Sequence, residues 1–311
     1  MYLSTGTNIL FPNLGIELNN VGQSISIFGF EIAYYGIIIA FGMAMGYMVA
    51  HYQAKRTGQN PEIYLDFALW AIILSVLGAR LYYVAFAWDE FKDRPLDIIN
   101  LRTGGLAIYG GIITGVITAL VYTKVKKLNT RLFVDTACLG LITGQLIGRW
   151  GNFFNREAFG KYYNGLFSMN LDIRDVGGEY IRPIELIASR YADQPDALER
   201  IIEIRENAVK IGEATYIQVH PTFLYESVWN FALLIILLIY SKHKKFDGEI
   251  FLLYILGYGL GRVWIEGLRT DQLFLWGSPL AVSQILSGIL VIISGIVIIY
   301  GRKKVKKSSG K

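Results

Sequence analysis

Seven stretches of the chain are apolar for close to twenty residues, at roughly 28–50, 63–87, 105–123, 131–148, 222–241, 248–266 and 280–300. That is the length a helix needs to cross a hydrocarbon core of about 30 Å. Periodicity of 3.6 is weak within them, as for helices that face lipid or one another. The pattern predicts an all-α polytopic membrane protein with seven transmembrane helices. Residues 1–148 would hold spans 1–4, and 149–221 a signature segment with an external cap or loop region. Residues 222–300 would hold spans 5–7, and 301–311 a basic tail.

The pattern breaks between spans 4 and 5. Residues 161–219 form an insertion, and its PDALERIIEIRENAVK has helical periodicity. Asp196 with Glu199 has the spacing of a capping box. The insertion is either a cap over a site or a solvated loop with one surface helix.

Composition agrees with the bilayer reading: 53% of residues are hydrophobic. The net charge of +5 is unevenly placed, and that sets an expected topology. Every second connection is basic: Lys55 and Arg56, then Lys124, Lys126, Lys127 and Arg131, then KHKKFD at 242–247, then the tail GRKKVKKSSGK. The positive-inside rule puts the N-terminus outside and the C-terminus in the cytoplasm. The tail is read as an anchor near anionic lipid, so no nucleic-acid partner is expected. Cys138 is the one cysteine, which rules out an intramolecular disulfide and suits helix packing. The first twenty residues lack a basic n-region, so no cleavable signal is expected.

On this map the polar intramembrane residues gather in one layer, towards the outer face. Span 1 contributes Glu31, Tyr34 and Tyr35, span 2 Arg80 and span 3 Tyr109. Span 4 delivers Arg149 and Asn152, span 5 opens on His220, Tyr225 and Glu226, and span 6 carries Arg262 and Glu266. The inner halves hold almost no ionisable group. Charges at that depth cost several kcal/mol unless they pair or line a wet cavity, so each is a candidate functional residue. One arginine alone could snorkel to the surface; Arg80, Arg149, Glu226, Arg262 and Glu266 together in one layer are harder to explain that way.

Arginines in such a layer suggest an anion, because the guanidinium fork matches phosphate oxygens. The commonest anion at that depth is a phospholipid headgroup. Arg262 and Glu266 share a helix face, which makes Glu266 a candidate to hold Arg262. In TGGLAIYGGIITG, Gly105, Gly110, Gly111 and Gly115 would let helices, or a lipid, approach the backbone. No HExxH, Cys/His cluster or GxSxG occurs, so no metal or organic cofactor is expected. A transferase whose acceptor brings its own nucleophile fits this inventory. A transporter or lipid-exchange protein is the runner-up, weakened by the missing inner-half polar groups. A non-enzymatic scaffold leaves the arginines without a purpose.

GRWGNFFNREAFG, residues 148–160, resembles the signature of the prolipoprotein diacylglyceryl transferase family. It meets G-R-x-G-N-F-x-N-x-E-x-x-G in full, through Arg149, Asn152, Asn155, Glu157 and Gly160. AYYG around Tyr35, GARLYYV around Arg80, GGLAIYGG around Tyr109, HPTFLYES around Glu226 and GRVWIEGLR around Arg262 are similar too. The resemblance implies a bacterial cytoplasmic-membrane enzyme with its site facing the outer leaflet. Its expected partners are phosphatidylglycerol, preprolipoproteins bearing a lipobox cysteine, and the bilayer. The implied reaction moves the diacylglyceryl group to the cysteine thiol and releases glycerol-1-phosphate. Arg149 and Arg262 would then stabilise the departing phosphate, with Tyr109 and Glu266 as further catalytic candidates. Tyr35, Asn152 and Asn155 would hold the headgroup, and Glu157 and Glu266 would orient the arginines. Arg80, Gly105, Gly160, His220, Tyr225 and Glu226 complete the substrate-binding candidates. Many members carry a histidine where this chain has Tyr109. The base is therefore Tyr109, His220, or no side chain at all, with arginines lowering the thiol pKa directly.

Overall fold

The structure is a computed structural model that describes residues 2–3, 7–101, 104–192, 194–274 and 280–309. Among them, long helices occupy all seven apolar stretches: α1 (Tyr34–Arg56), α2 (Glu62–Phe86), α4 (Ile108–Val125), α5 (Thr130–Asn155), α8 (Thr222–Tyr240), α9 (Glu249–Glu266) and α10 (Val282–Ser309); α3 (Trp88–Phe91) and α6 (Ile184–Arg190) are short. Five of these, α1, α2, α4, α8 and α10, are long and apolar enough to cross a membrane. The other two carry more charge: Arg131, Asp135 and Arg149 in α5, and Glu249, Arg262 and Glu266 in α9. The mostly helical architecture is that of a polytopic membrane protein.

The all-α expectation needs correction outside the helices, where two antiparallel sheets form. One has the order β1-β4-β5, from β1 (Tyr2–Leu3), β4 (Ser24–Ile27) and β5 (Phe30–Ala33). The other has the order β3-β2-β6-β8-β7, from β2 (Thr7–Phe11), β3 (Ile16–Val21), β6 (Met169–Asp172), β7 (Val209–Ile211) and β8 (Ala214–Val219). The first span was expected from residue 28, yet residues 30–33 are strand and Glu31 lies in β5. The run FGFEIA is apolar in bulk, but its alternation is that of a strand.

Other boundaries shift as well. Helix α5 continues to Asn155, so Arg149 and Asn152 belong to the helix and not to a segment beyond it. Helix α10 runs on to Ser309, so described residues 301–309 of the basic tail extend the last helix; 310–311 lie outside the described residues. The insertion helix, α7, spans Pro195–Glu206. Its N-cap is Gln194, with Pro195 at the first helical position and no side-chain cap bond, so the expected capping box is absent there. The following Val209 and Lys210 enter β7 instead of extending the helix.

The chain forms two compact units. The first comprises Met1–Gly46, Leu141–Phe246 and Leu252–Lys311. Its core lies on the five-stranded sheet, where Ile9, Leu171, Ile204, Ile217 and Val219 are fully buried. Helix α7 turns Ile201 and Ile204 into it. Phe153 near the end of α5 and Phe223 at the start of α8 reach the same core, which ties the five-stranded sheet to the helix ends. Within this unit α1 and α5 approach through small residues. A Cβ on Gly144 would lie 3.6 Å from Gly42 O, and one on Gly148 would lie 3.3 Å from Ile39 Cδ1.

The second unit comprises Tyr47–Gly140 and Asp247–Phe251. Here α2 and α4 cross closely. A Cβ on Gly110 would fall 2.5 Å from Gly78 O, and one on Gly78 would overlap Thr114. Close helix approach, one of the two readings of the glycine run, is therefore realised at Gly110. At the other end of these helices Tyr64 stacks on Phe133, with ring centroids 5.0 Å apart. Asp135, in a stretch expected to hold almost no ionisable group, is buried and accepts backbone N–H bonds from Gly248 and Phe251, both at 2.9 Å. It satisfies donors at the start of α9 that would otherwise be orphaned.

Candidate functional site

In the first unit, α5, α8 and α9 bring their polar residues together around one carboxylate. Glu226, one turn into α8, is 3% exposed. Its Oε2 is 2.6 Å from Arg149 Nε. Its Oε1 accepts from Arg262 Nη1 at 3.2 Å and from Arg269 Nη1 at 3.3 Å. Glu266 pairs with Arg262 one turn away on α9, and its Oε2 lies 3.9 Å from Arg269 Nε. Three guanidiniums thus converge on one buried carboxylate, with a second beside them. A buried charge needs such pairing, because desolvating it alone costs several kcal/mol.

Arg269 was not among the sequence candidates. A signal existed: GRVWIEGLR repeats a basic residue with the spacing of two helical turns, and Arg269 follows Glu266 by three positions. Asp271 chelates Arg269, accepting from Nε at 2.9 Å and from Nη2 at 2.7 Å. Burial alone would raise the Asp271 carboxyl, but the Arg269 hydrogen bonds and charge outweigh it and hold it below the usual range. Arg200 of α7 then braces this segment, donating to Arg269 O at 2.9 Å and to Gln272 Oε1 at 2.8 Å.

The signature segment builds a second polar group. Asn152 and Asn155 both donate to Glu157 Oε1, at 3.0 and 3.2 Å. The expectation that Glu157 orients the arginines is corrected here: Glu157 receives the two asparagines, and Glu226 receives Arg149. Arg156 explains the sharp turn. It adopts φ +53°, as does Ala158 with φ +56°. Its buried guanidinium sits 2.8 Å from Asp175 and donates to Phe154 O and Val21 O. That anchoring offsets the cost of left-handed backbone at a residue with a side chain. Burial pulls the Arg156 pKa down, against the opposing charges of Asp175 and Asp172.

Tyr35 stands in the first turn of α1. A Cβ on Gly151 would lie 2.6 Å from its ring, so the signature glycine makes the room that Tyr35 occupies. Gly160 does a similar job. A Cβ there would press on His220 Cβ at 2.7 Å and Leu268 O at 2.9 Å, and Gly160 N–H donates to His220 O at 2.9 Å. His220 stacks on Tyr163 with centroids 3.9 Å apart, and its Nδ1 is 3.1 Å from the Tyr225 hydroxyl. Burial, with Lys161 nearby, pushes the His220 pKa down to about 4, so the ring is neutral at pH 7.

The second unit holds Arg80, Gly105 and Tyr109. Arg80 is 4% exposed, and its guanidinium is fully occupied by main-chain carbonyls. Nε donates to Ile98 O, Nη1 to Gly104 O and Gly105 O, and Nη2 to Asp97 O and Asn100 O, at 2.5–3.1 Å. A guanidinium has five N–H groups, so none remains for a phosphate in this geometry. Gly105 has φ +73°, and a Cβ there would meet Arg80 Nη1 at 2.5 Å. Tyr109 is half-buried in the first turn of α4.

Fold and site together define a multi-pass membrane protein that concentrates arginine and carboxylate at the ends of its helices. The prolipoprotein diacylglyceryl transferase family model matches residues 23–300. The chain is 37% identical over 283 residues to the phosphatidylglycerol–prolipoprotein diacylglyceryl transferase of Clostridioides difficile (strain 630), covering 91% of this chain and 96% of that one. It is 37% identical over 303 residues to the enzyme of the same name from Nostoc sp. (strain PCC 7120 / SAG 25.82 / UTEX 2576), covering 95% and 93%. It is 38% identical over 275 residues to that of Lysinibacillus sphaericus (strain C3-41), covering 88% and 90%. The chain belongs to the prolipoprotein diacylglyceryl transferase family, and it is a transferase.

Proposed function

We propose that this protein transfers the diacylglyceryl group of phosphatidylglycerol to the lipobox cysteine of prolipoproteins at the outer face of the bacterial cytoplasmic membrane. The observation that carries the reading is the convergence of Arg149, Arg262 and Arg269 on Glu226, next to the asparagines of the signature segment. Such a cluster suits a phosphodiester more than a neutral lipid. The carbon–sulfur bond forms as the client thiolate attacks the glyceryl carbon that bears the phosphate. The carbon–oxygen bond breaks, its electron pair leaves on the phosphate oxygen, and glycerol-1-phosphate departs. The thiol proton ends on that phosphate or in solvent. Phosphate charge grows along this path, and Arg149 and Arg262 stabilise it.

Asn152, Asn155 and Tyr35 hold the headgroup, and Glu157 fixes the two amides. Glu226 and Glu266 keep the guanidiniums oriented, and the shared Glu226 carboxylate stands where an anion is favoured. Arg80 acts at one remove, through the loop it holds. No side-chain base is required: the thiol starts from a pKa near 8.5, and adjacent arginines lower it. A His220 with a pKa of about 4 would be a weak base, which supports this version.

The test uses purified protein in detergent with phosphatidylglycerol and a peptide bearing a lipobox cysteine. Expected is a peptide mass gain of one diacylglyceryl group, lost in Arg149→Ala. No gain with folded protein and a competent peptide would overturn the reading and bring lipid transport forward.

A further inference from the structure

Strands β4 and β5 form a hairpin with no counterpart in the site described above. They pair antiparallel, Ile27 opposite Phe30, Ser26 opposite Glu31, Ile25 opposite Ile32 and Ser24 opposite Ala33. Residues directly opposite share a face, and alternate residues share it too. One face therefore carries Ile25, Ile27, Phe30 and Ile32, and the other Ser24, Ser26, Glu31 and Ala33. The apolar face is open towards the tip: Phe30 is 76% exposed, Ile32 41% and Ile27 36%, while Ile25, nearer the base, is buried. At the tip Phe28 is 97% exposed.

The tip is also an unusual place for an aromatic ring. Phe28 and Gly29 have φ +52° and +83°, the two-residue turn with both centres left-handed. Asn, Asp or Gly fit such a turn best, and a bulky side chain there is strained. The chain spends that strain to hold an exposed phenyl group outward.

What covers this face follows from where it is attached. Strand β5 ends at Ala33 and α1, apolar enough to cross a membrane, begins at Tyr34. No linker intervenes, and Tyr34 N–H donates to Gln23 O at 2.9 Å, closing the base of the hairpin on the helix. Four residues of strand reach only about 13 Å. The sheet is thus confined to the level at which α1 leaves the hydrocarbon, where an amphipathic element buries its apolar side among headgroups and upper acyl chains.

We propose that the β4–β5 hairpin lies on the bilayer at the start of α1, with Ile27, Phe28, Phe30 and Ile32 in lipid and Glu31 turned to water. The contact is apolar in origin. No lysine or arginine occurs before Lys55, so there is no basic group in the hairpin to bind anionic headgroups. Lipid contact at this point also fixes the height of Tyr35, two residues past the strand.

Full-length protein tests this, with cysteine placed by Phe28→Cys, Phe30→Cys or Glu31→Cys. The native Cys138 is buried and stays in place, with unsubstituted protein as the labelling control. Each variant carries an environment-sensitive thiol probe in phosphatidylcholine vesicles that contain nitroxide-labelled lipid. Nitroxides about 5–10 Å below the headgroups should quench the probes at 28 and 30 at least about twofold more than the probe at 31. Replacing a third of the phosphatidylcholine by phosphatidylglycerol, or raising the salt, should leave that ratio unchanged. Equal quenching of all three by aqueous iodide would overturn the proposal in favour of a solvated hairpin. Protection at 28 and 30 from both quenchers would overturn it in favour of a covering protein segment.

Discussion

Arg149 Nε lies 2.6 Å from Glu226 Oε2, so the signature arginine on α5 is held by a carboxylate on α8 and not by Glu157 of its own segment. That carboxylate also receives Arg262 and Arg269. One buried side chain therefore organises three cations, one from α5 and two from the end of α9 and the residues just past it. Glu226 sits in the run HPTFLYES, whose sequence marks it as one polar residue among several and gives no hint that it is the hub.

Removing the Glu226 charge should be costly for that reason. Glu226→Gln leaves three arginines without their shared counter-charge, and breaking a buried pair from one side typically costs about 3–5 kcal/mol. Thermal unfolding in detergent should show a large loss for Glu226→Gln and for Arg149→Met. The double variant should lose clearly less than the sum, because the two share one interaction. Strict additivity would show that the pair does not couple.

Arg80 gives a prediction of a different kind. Lysine keeps the charge but offers three donors on a flexible stem, against five in a fixed plane. Arg80→Lys should thus leave carbonyls in residues 97–105 unsatisfied, at about 1–3 kcal/mol for each one left buried and unpaired. Hydrogen exchange over 97–105 should accelerate while exchange in α8 stays unchanged. Gly105→Ala should do the same, since its Cβ would meet the guanidinium on a left-handed backbone. Unaltered protection in both variants would show that the loop does not depend on Arg80.

Arg156 separates backbone strain from anchoring. At φ +53° glycine is easier than alanine, yet both remove the contacts to Asp175, Phe154 and Val21. Arg156→Gly should unfold at a lower temperature than the parent, and Arg156→Ala lower still, by about 1 kcal/mol. Equal stabilities for Gly and Ala would argue that the turn relaxes when the guanidinium goes.

His220 sets a pH dependence whose sign is fixed by its environment. Its pKa falls from 6.5 in the unfolded chain to about 4 in the fold. Between these values the unfolded chain holds a proton that the native state does not, so stability falls as pH falls. The contribution is fully present above about pH 6.5 and lost progressively towards pH 4. The melting temperature should drop more steeply from pH 7 to pH 5 in the parent than in His220→Gln. Parallel pH profiles would mean that the ring titrates alike in both states.

The helical frame was legible because length and apolarity mark long helices: each of the seven apolar stretches holds one, and five of these are long and apolar enough to cross a membrane. The two sheets were not, for a physical reason. Strands such as ISI and FEIA are short, and next to a span their alternation merges with the hydrophobic run. Arg149, Asn152, Glu157 and Glu226 were legible as chemistry because polar groups beside a span are expensive. Their pairing was not, since it depends on how α5, α8 and α9 pack. Arg269 escaped notice because it lies past the end of α9, where a charge needs no special reason. Arg80 was read as an anion ligand, and only the positions of the Asp97, Ile98, Asn100, Gly104 and Gly105 carbonyls show its donors to be filled.

Whether the reaction needs a side-chain base turns on Tyr109. The resemblance to the family sets a histidine where this chain has Tyr109, and a neutral phenol is a weaker proton acceptor than an imidazole. If thiolate formation rests on the field of the arginines, Tyr109→Phe should keep most of the activity, and its pH–rate profile should match the parent. His220→Gln should also stay active. Arg149→Lys should instead lower kcat, since a point charge replaces a planar fork. A loss of about 10²-fold or more in Tyr109→Phe, with normal folding and KM, is the scale of general-base catalysis and would return the proton to the phenol.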